Sequence, residues 1–199
     1  MIYKAALKYA NIYAHKHYIT SENVETVAYG FFSLFSNLIF GLISLGIGVL
    51  FNNVIGSLVF YSVFLFIKKF AGGIHATTEK RCFFYSSISI LGSLVSMHLG
   101  LNFKIYSISL ILISLVLSVC VYKYAPIASK ERPLDEAEIK KYSKIVKTRI
   151  LFLVLIMIVS DFIGFRNISL AIASAIILES LLIIAGKAKE EKNIHKCAV

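Results

Sequence analysis

The fold is decided by the 42-residue stretch from Thr26 to Ile67, TVAYGFFSLFSNLIFGLISLGIGVLFNNVIGSLVFYSVFLFI. It contains no Asp, Glu, Lys, Arg or His. One helix needs about 20 apolar residues to cross a bilayer, so this stretch has the length for two crossings. The whole chain of 199 residues is 58% hydrophobic and 16% charged, whereas soluble domains are about 45–50% apolar and about 25% charged. The sequence therefore predicts an all-α, polytopic membrane protein.

Further apolar blocks follow, and they bring the predicted number of spans to six. The first stretch divides near Gly46–Asn53, where glycines and asparagines favour a turn. Its second half, from Val54, is short for a span. We expect it to gain length by running on to Gly72 while Lys68 and Lys69 reach the membrane surface. The other predicted spans are Cys82–Phe103, Ile105–Tyr122, Ile150–Phe165 and Ile168–Gly186.

The distribution of lysine and arginine orients these spans. With six spans, segments 1–25, 68–81, 123–149 and 187–199 share one side of the membrane and hold 19 of the 21 basic residues. Because cytoplasmic loops of membrane proteins accumulate lysine and arginine, both termini are predicted to be cytoplasmic. The same rule accounts for the net charge of +10 without nucleic acid, and no nucleic-acid partner is expected.

The N-terminal segment 1–25 carries an amphipathic pattern over Met1–Ile19. In a helix, Lys4, Lys8 and His15 fall on one face, and apolar and aromatic residues spread over the other. Such a helix would lie on membrane lipid at the inner surface or pack on the cytoplasmic end of the bundle. No internal repeat divides the chain, so residues 1–199 are expected to form a single domain.

Small and polar residues recur at steps of three or four along two predicted spans. In lipid, this pattern usually indicates close packing between helices. The seam on the third span is of further interest because it begins with a cysteine. The first span carries Gly30, Ser33, Asn37, Gly41, Ser44 and Gly48, and the third carries Cys82, Ser86, Ser89, Ser93 and Ser96.

The segment 68–82, KKFAGGIHATTEKRC, contains residues suited to cysteine protease chemistry. Such an enzyme needs a thiolate nucleophile and an imidazole that takes and returns a proton. On one straight helix, His75 and Cys82 would lie about 10.5 Å apart, so they can cooperate only if the helix breaks between them. Gly72 and Gly73 can end the preceding helix, and Thr77 or Thr78 can cap the next one. The N-terminus of the third span and nearby basic residues would then favour the Cys82 thiolate.

Taken alone, these residues leave an incidental histidine and cysteine open as an interpretation. No metal site is predicted, because two ligands at this spacing lack a third and fourth partner, and no cofactor is expected. Cys120 is interpreted as a packing residue and Cys197 as part of a dispensable tail. Glu179 lies inside the last span, and intramembrane carboxylates are functional candidates; it would orient His75 or line a substrate cavity.

The run from Lys68 to Ser86 resembles the AgrB family of Gram-positive quorum-sensing membrane proteins. That family carries a GG-x-HA motif, a cysteine six residues after the alanine and a serine four residues further on. Where the family has an arginine ahead of the glycines, this chain has Lys68 and Lys69, which would hold a carboxylate less specifically. The first motif is matched by Gly72, Gly73, His75, Ala76, Cys82 and Ser86, and a second, after the fourth span, by Tyr124-Ala125-Pro126 through Arg132-Pro133-Leu134.

The resemblance implies a cysteine endopeptidase in the cell membrane of a Gram-positive bacterium, working as a homodimer with its active site on the cytoplasmic side. Its substrate would be the AgrD-type precursor of a cyclic autoinducing peptide. His75 and Cys82 would be the catalytic pair, and an acyl-enzyme thioester would be resolved by closure of a thiolactone or lactone ring. The supporting residues would be Lys68, Lys69, Gly72, Gly73, Ser86 and Glu179.

The basic loop 123–149 has two interpretations. Asp135 and Glu138 form the sequence of a capping box, which predicts a helix running through Lys140–Arg149 into the fifth span. Its charge is either the positive-inside signal alone or also a docking surface for the acidic tail of the precursor. In the second case the lysines involved would be Lys140, Lys141 and Lys144.

Two other functions remain open from the sequence. The polar seams and Glu179 would suit a small membrane transporter or exporter of peptides. A noncatalytic membrane scaffold for a sensor kinase system is the other alternative. Cleavage of a co-expressed precursor would distinguish the enzyme from both.

Overall fold

The computed structural model describes residues 2–72, 79–127 and 134–197, and for Ser21, Glu79, Lys80, Cys82 and residues 189–197 it describes the backbone alone. His75 and Gly73 lie outside the described residues. The described chain forms seven α-helices and no strand, with a short 3-10 turn at Ser21–Asn23. The helices are α1 Ile2–His15, α2 Val24–Leu50, α3 Val54–Ala71, α4 Glu79–Asn102, α5 Lys104–Tyr124, α6 Glu136–Phe162 and α7 Arg166–Cys197.

Five of these helices, α2, α3, α4, α5 and α7, are long and apolar enough to cross a membrane. The predicted fifth span lies in α6, whose apolar part is bounded by charged residues. This helix still runs the length of the bundle: Arg149 contacts the last turn of α3, and the far end of α6 turns at Gly164 into α7. The prediction of an all-α polytopic membrane protein is confirmed.

The loops predicted to share one side of the membrane meet at one end of the bundle. This basic end comprises the C-termini of α3, α5 and the transmembrane part of α7, with the N-terminal half of α6. There, Lys187 Nζ lies 3.8 Å from the ring centroid of Tyr124. At the opposite end, Arg166 Nε donates to Ser107 Oγ at 3.0 Å. That the basic end faces the cytoplasm stays a prediction from the distribution of charge.

The turn between the first two spans is shorter than predicted. The sequence predicts a turn over Gly46–Asn53, but α2 continues to Leu50 and both of its last glycines are helical. Asn53 instead caps α3, because its side chain accepts a hydrogen bond of 3.1 Å from the Gly56 amide. In a membrane helix the backbone is hydrogen-bonded within the helix, so glycine there permits close approach of a neighbour more readily than it ends the helix.

The amphipathic helix α1 packs against α2. The ring of Tyr9 lies 5.7 Å from that of Phe35, and the ring of Tyr13 lies 5.6 Å from that of Phe31. The buried residues of α1 are Ala6 and Ala10, small enough to bring the two helices together. The structure therefore favours the packed arrangement over a helix held by lipid alone.

The last helix, α7, lies at the centre of the bundle. Every residue from Ser169 to Ile176 is buried, and α7 contacts α3, α4, α5 and α6. One hydrophobic cluster joins it to α3, α5 and α6, and a second joins it to α3, α4 and α5. These four helices therefore share α7 as a packing partner, whereas α2 packs against α1, α3 and α4.

The close approach of α2 and α3 predicts a difference between two glycines of α2. A Cβ atom at Gly48 would lie 2.7 Å from Ser57 Cβ, whereas a Cβ at Gly46 has no atom within 4 Å. Gly48→Ala should therefore destabilise the bundle by about 1–3 kcal/mol, and Gly46→Ala should be neutral or stabilising by up to about 1 kcal/mol. The unfolding midpoints of both variants in detergent test this, and equal midpoints would contradict the packing described.

Candidate active site

The end of α3 is joined to the segment that follows α5. The Ile127 amide donates to the Ala71 carbonyl at 2.9 Å, and Gly72 pairs with Ile127 in an isolated parallel bridge. Gly72 has φ +80°, and a Cβ there would collide with the Ile127 carbonyl. The contact between Gly72 and Ile127 therefore requires a glycine at position 72. This contact brings the two family motifs together.

Arg149 fastens α6 to the same turn of α3. Its Nη1 donates to the Phe66 carbonyl, and its guanidinium carbon lies 3.8 Å and 4.3 Å from the ring centroids of Phe66 and Phe70. A planar guanidinium can bond and stack at once, which an ammonium cannot. Sequence reasoning counted Arg149 only as a loop charge, and no sequence signal pairs it with residues 79 and 83 positions away.

The N-terminal half of α6 confirms the predicted capping box. The Asp135 side chain accepts from the Glu138 amide at 2.6 Å, and the Glu138 side chain accepts from the Asp135 amide at 3.4 Å. The ring of Tyr142 lies 5.4 Å from that of Phe70, so this half of α6 lies beside the end of α3. Lys140, Lys141 and Lys144 are exposed on it.

A cavity of about 440 Å³ lies among α2, α3, α4 and α7. Two of the predicted site residues, Lys68 and Ser86, line it together. So do the middle parts of the two polar seams, Ser33 and Asn37 on α2 and Ser89 on α4. At this level of the bundle the seams therefore face an open space, although the sequence favoured close helix packing.

Aromatic side chains form much of the remaining wall, among them Phe40, Tyr61 and Phe64. The Tyr61 hydroxyl donates to the Asn37 carbonyl at 2.6 Å, so this polar group is already paired. Sequence reasoning did not select these three residues. They belong to uniformly apolar spans in which nothing distinguishes a wall residue from a lipid-facing one.

Glu179 is fully buried in α7. Neither carboxylate oxygen has a hydrogen-bond partner within the described part of the chain. Lys68 of α3 is the cation that acts on it electrostatically, and Leu178 and Leu182, its neighbours on α7, line the cavity. The predicted carboxylate is thus buried in the helix that forms one wall of the cavity, and Lys68 stands on the wall formed by α3. Its predicted role in orienting His75 falls outside the described residues.

The remaining chemistry-bearing residues are placed as follows. Cys82 is the fourth residue of the described part of α4, one turn before Ser86. Lys69 is exposed at the end of α3, and Cys120 is partly buried in α5. His98 stacks on Phe51 with ring centroids 4.7 Å apart, at the end opposite to Lys68. Among the described residues, no three His, Cys, Asp or Glu side chains are grouped so as to hold a metal ion.

These features define a polytopic α-helical membrane protein with a largely apolar, partly aromatic cavity beside the motif-bearing ends of α3 and α4. The sequence profile of the AgrB family, described as Accessory gene regulator B, matches residues 6–183. The chain therefore belongs to the AgrB family of quorum-sensing membrane proteins, as its motifs predict.

Individual relatives agree with this assignment. An AgrB-like protein of Clostridium perfringens strain SM101 is 26% identical over 175 residues, which cover 83% of this chain and 79% of that protein. Accessory gene regulator protein B of Staphylococcus lugdunensis is 27% identical over 124 residues, 60% of this chain and 63% of that protein. No solved structure matches the chain.

The bridge at Gly72 predicts a local effect of substitution. Gly72→Ala should weaken the contact with Ile127, because the added Cβ meets a carbonyl and the positive φ is unfavourable for alanine. We expect a lower unfolding midpoint and faster proteolysis in the segment after α5. Gly92→Ala, whose Cβ would meet no atom within 4 Å, is the matched control, and similar behaviour of the two variants would contradict the role of the bridge.

Proposed function

We propose that this protein is a membrane cysteine endopeptidase that cleaves an AgrD-type precursor peptide and promotes its cyclisation. The observation that carries the proposal is the register of α4. Cys82 lies one turn before Ser86, and Ser86 lines a cavity that also contains Lys68. The cysteine of the family motif is therefore next to a space that a substrate side chain can enter.

In the proposed reaction, Cys82 attacks the peptide carbonyl and His75 acts as the base. A carbon–sulfur bond forms, the peptide carbon–nitrogen bond breaks, and His75 returns the proton to the leaving amine. A thiol or hydroxyl of the same peptide then attacks the thioester, which closes the ring and releases Cys82. With a thiol this second step exchanges one thioester for another, so it needs little driving force.

The ends of α3 and α4 support these roles. The positive end of the α4 dipole would favour the Cys82 thiolate. Gly72 ends α3, and Gly73 and His75 follow in the segment between the two helices. Because water would hydrolyse the acyl-enzyme, a recessed site at the membrane surface would protect it. A cytoplasmic location would keep the thiol reduced.

The proposal gives supporting roles at this site to three further residues, Lys68, Lys69 and Glu179. The burial of Glu179 in α7 and its electrostatic interaction with Lys68 suggest that it holds the lysine in place. Lys69, which is exposed, is available to the incoming peptide. The homodimer and the cytoplasmic active site are carried over from the family resemblance as part of the proposal.

A peptide exporter is the second candidate, favoured by the same cavity and by the buried carboxylate of Glu179. An exporter would move the peptide across the membrane without cleaving it. Purified protein in detergent or vesicles, mixed with a precursor and analysed by mass spectrometry, distinguishes the two functions.

Replacement of the proposed catalytic pair should abolish cleavage. Cys82→Ser and His75→Ala should each lower precursor cleavage by about a thousandfold or more, as loss of a member of a cooperating pair does. Membrane insertion should be unchanged. Cys120→Ala and Cys197→Ala are the matched controls and should cleave at the rate of the unmodified protein. Cleavage by Cys82→Ser, or loss of cleavage in Cys120→Ala alone, would show that the nucleophile is elsewhere.

The exposed lysines of α6 should attract the acidic tail of the precursor. Replacing Lys140, Lys141 and Lys144 with glutamine should raise the apparent KM severalfold for a precursor with an acidic tail. It should also weaken the salt dependence, because charge attraction at a surface is screened over about 8–10 Å. A precursor with a neutralised tail should respond little.

A second triple variant provides a control with the same change in charge. It replaces three exposed lysines near the N-terminus, Lys4, Lys8 and Lys16. Their replacement by glutamine should leave the apparent KM near its original value. If the two triple variants behave alike, or if the tail charge has no effect, the basic loop has only a topological role.

A further inference from the structure

We propose that the cavity among α2, α3, α4 and α7 is a specificity pocket for a large apolar side chain, aromatic or branched aliphatic, on the precursor. The side chain belongs to the residue whose carbonyl Cys82 attacks. This inference rests on the proposed endopeptidase function and extends it to the choice of substrate.

The register of α4 connects the nucleophile to the pocket. Ser86 and Ser89 follow Cys82 by four and seven residues, positions that share one face of a helix. Both serines line the cavity. One helical turn is about 5.4 Å, so the cavity begins within the reach of a side chain attached beside the attacked carbonyl.

The walls of the cavity select for apolar groups. Phe64, Ile90 and Leu178 are buried residues that line it. Tyr61, a potential donor, uses its hydroxyl on the Asn37 carbonyl. Away from Lys68, a charged side chain placed among these walls would lose its hydration with little compensation, whereas an aromatic or aliphatic side chain would gain contact area.

The cavity is large enough to admit such a side chain. Its volume of about 440 Å³ lies within the range of about 300–1,000 Å³ that is usual for ligand pockets. Along α3 the lining residues run from Lys68 through Phe64 to Tyr61, about 10 Å along the helix axis. An alanine side chain would leave much of this space unfilled, so the pocket discriminates by size as well as by polarity.

The register of Cys82, one turn before Ser86, favours a peptide as the occupant, and Lys68 adds a hydrogen-bond donor at the entrance. It is the one charged side chain among the described residues that line the cavity, and it stands at the basic end in the last turn of α3. Glu179, buried with no hydrogen-bond partner in the described chain, acts on it electrostatically. Peptide carbonyls can accept hydrogen bonds from an ammonium at the entrance, whereas a hydrocarbon chain contains no acceptor.

The test compares two precursors that differ only at the residue before the cleaved bond, phenylalanine in one and alanine in the other. The unmodified protein should cleave the phenylalanine precursor with a kcat/KM at least about tenfold higher. Ser89→Phe fills the pocket and should remove this preference by slowing the phenylalanine precursor at least about tenfold. The alanine precursor should change by less than about threefold.

Ile88→Phe is the matched control, because Ile88 is exposed on the adjacent face of α4 and should keep the original preference when replaced. Phe40→Ala enlarges the pocket and provides an independent test of substrate preference. It should shift the preference from phenylalanine toward tryptophan, so the test stands even if Ser89→Phe fails to fold.

Three results would overturn the proposal. Cleavage of both precursors at equal rates by the unmodified protein would contradict the proposed specificity pocket but not the proposed endopeptidase activity. Equal slowing of both precursors by Ser89→Phe, with a copurified lipid displaced in native mass spectrometry, would assign the cavity to an acyl chain. Failure of the unmodified protein to cleave any precursor would overturn the endopeptidase, and the pocket with it.

Discussion

The burial of α7 is the constraint on which the rest of the bundle depends. Residues from Ser169 to Ile176 are all buried, so the neighbouring helices must be arranged around α7. α3, α4, α5 and α6 all contact it. The cavity beside Lys68 exists because α2, α3 and α4 do not close completely around α7. A carboxylate is tolerated in α7 because Glu179 is shielded from lipid by protein on all sides.

Much of the fold could be predicted from the sequence because lipid imposes simple rules on length and charge. The apolar lengths predicted six spans; among the described helices five are long and apolar enough to cross a membrane, and the predicted fifth span lies in α6. Asp135 with Glu138 predicted the capping box that begins α6. The turn at Gly46–Asn53 was predicted too long, since glycine in a membrane helix serves close packing. The central position of α7 could not be predicted, because a helix that is apolar on every face has no pattern that indicates which partners surround it.

The candidate site was predictable only in part, for a different reason. Lys68 and Ser86 were selected through the motif, and the structure brings both to one cavity. The contacts that hold the site's frame, between Gly72 and Ile127 and between Arg149 and Phe66, join residues far apart in the chain. Such contacts follow from how helices pack and leave no local signature. The roles of His75 and Cys82 stay proposals, based on the motif and on the register of α4.

The central helix α7 follows α2–α6 in the chain, so it is synthesised after them, and this order has a consequence for biosynthesis. While α2–α6 are already in the bilayer, the helix that supplies both halves of their shared core is still absent. α3, α4, α5 and α6, which all contact α7, can therefore complete their packing only after α7 is inserted. At that point, Lys68 is already in place for Glu179, so the carboxylate can enter a protein environment and avoid an exposed passage through lipid. A chain interrupted before α7 would leave α3, α4, α5 and α6 without the partner that all four share.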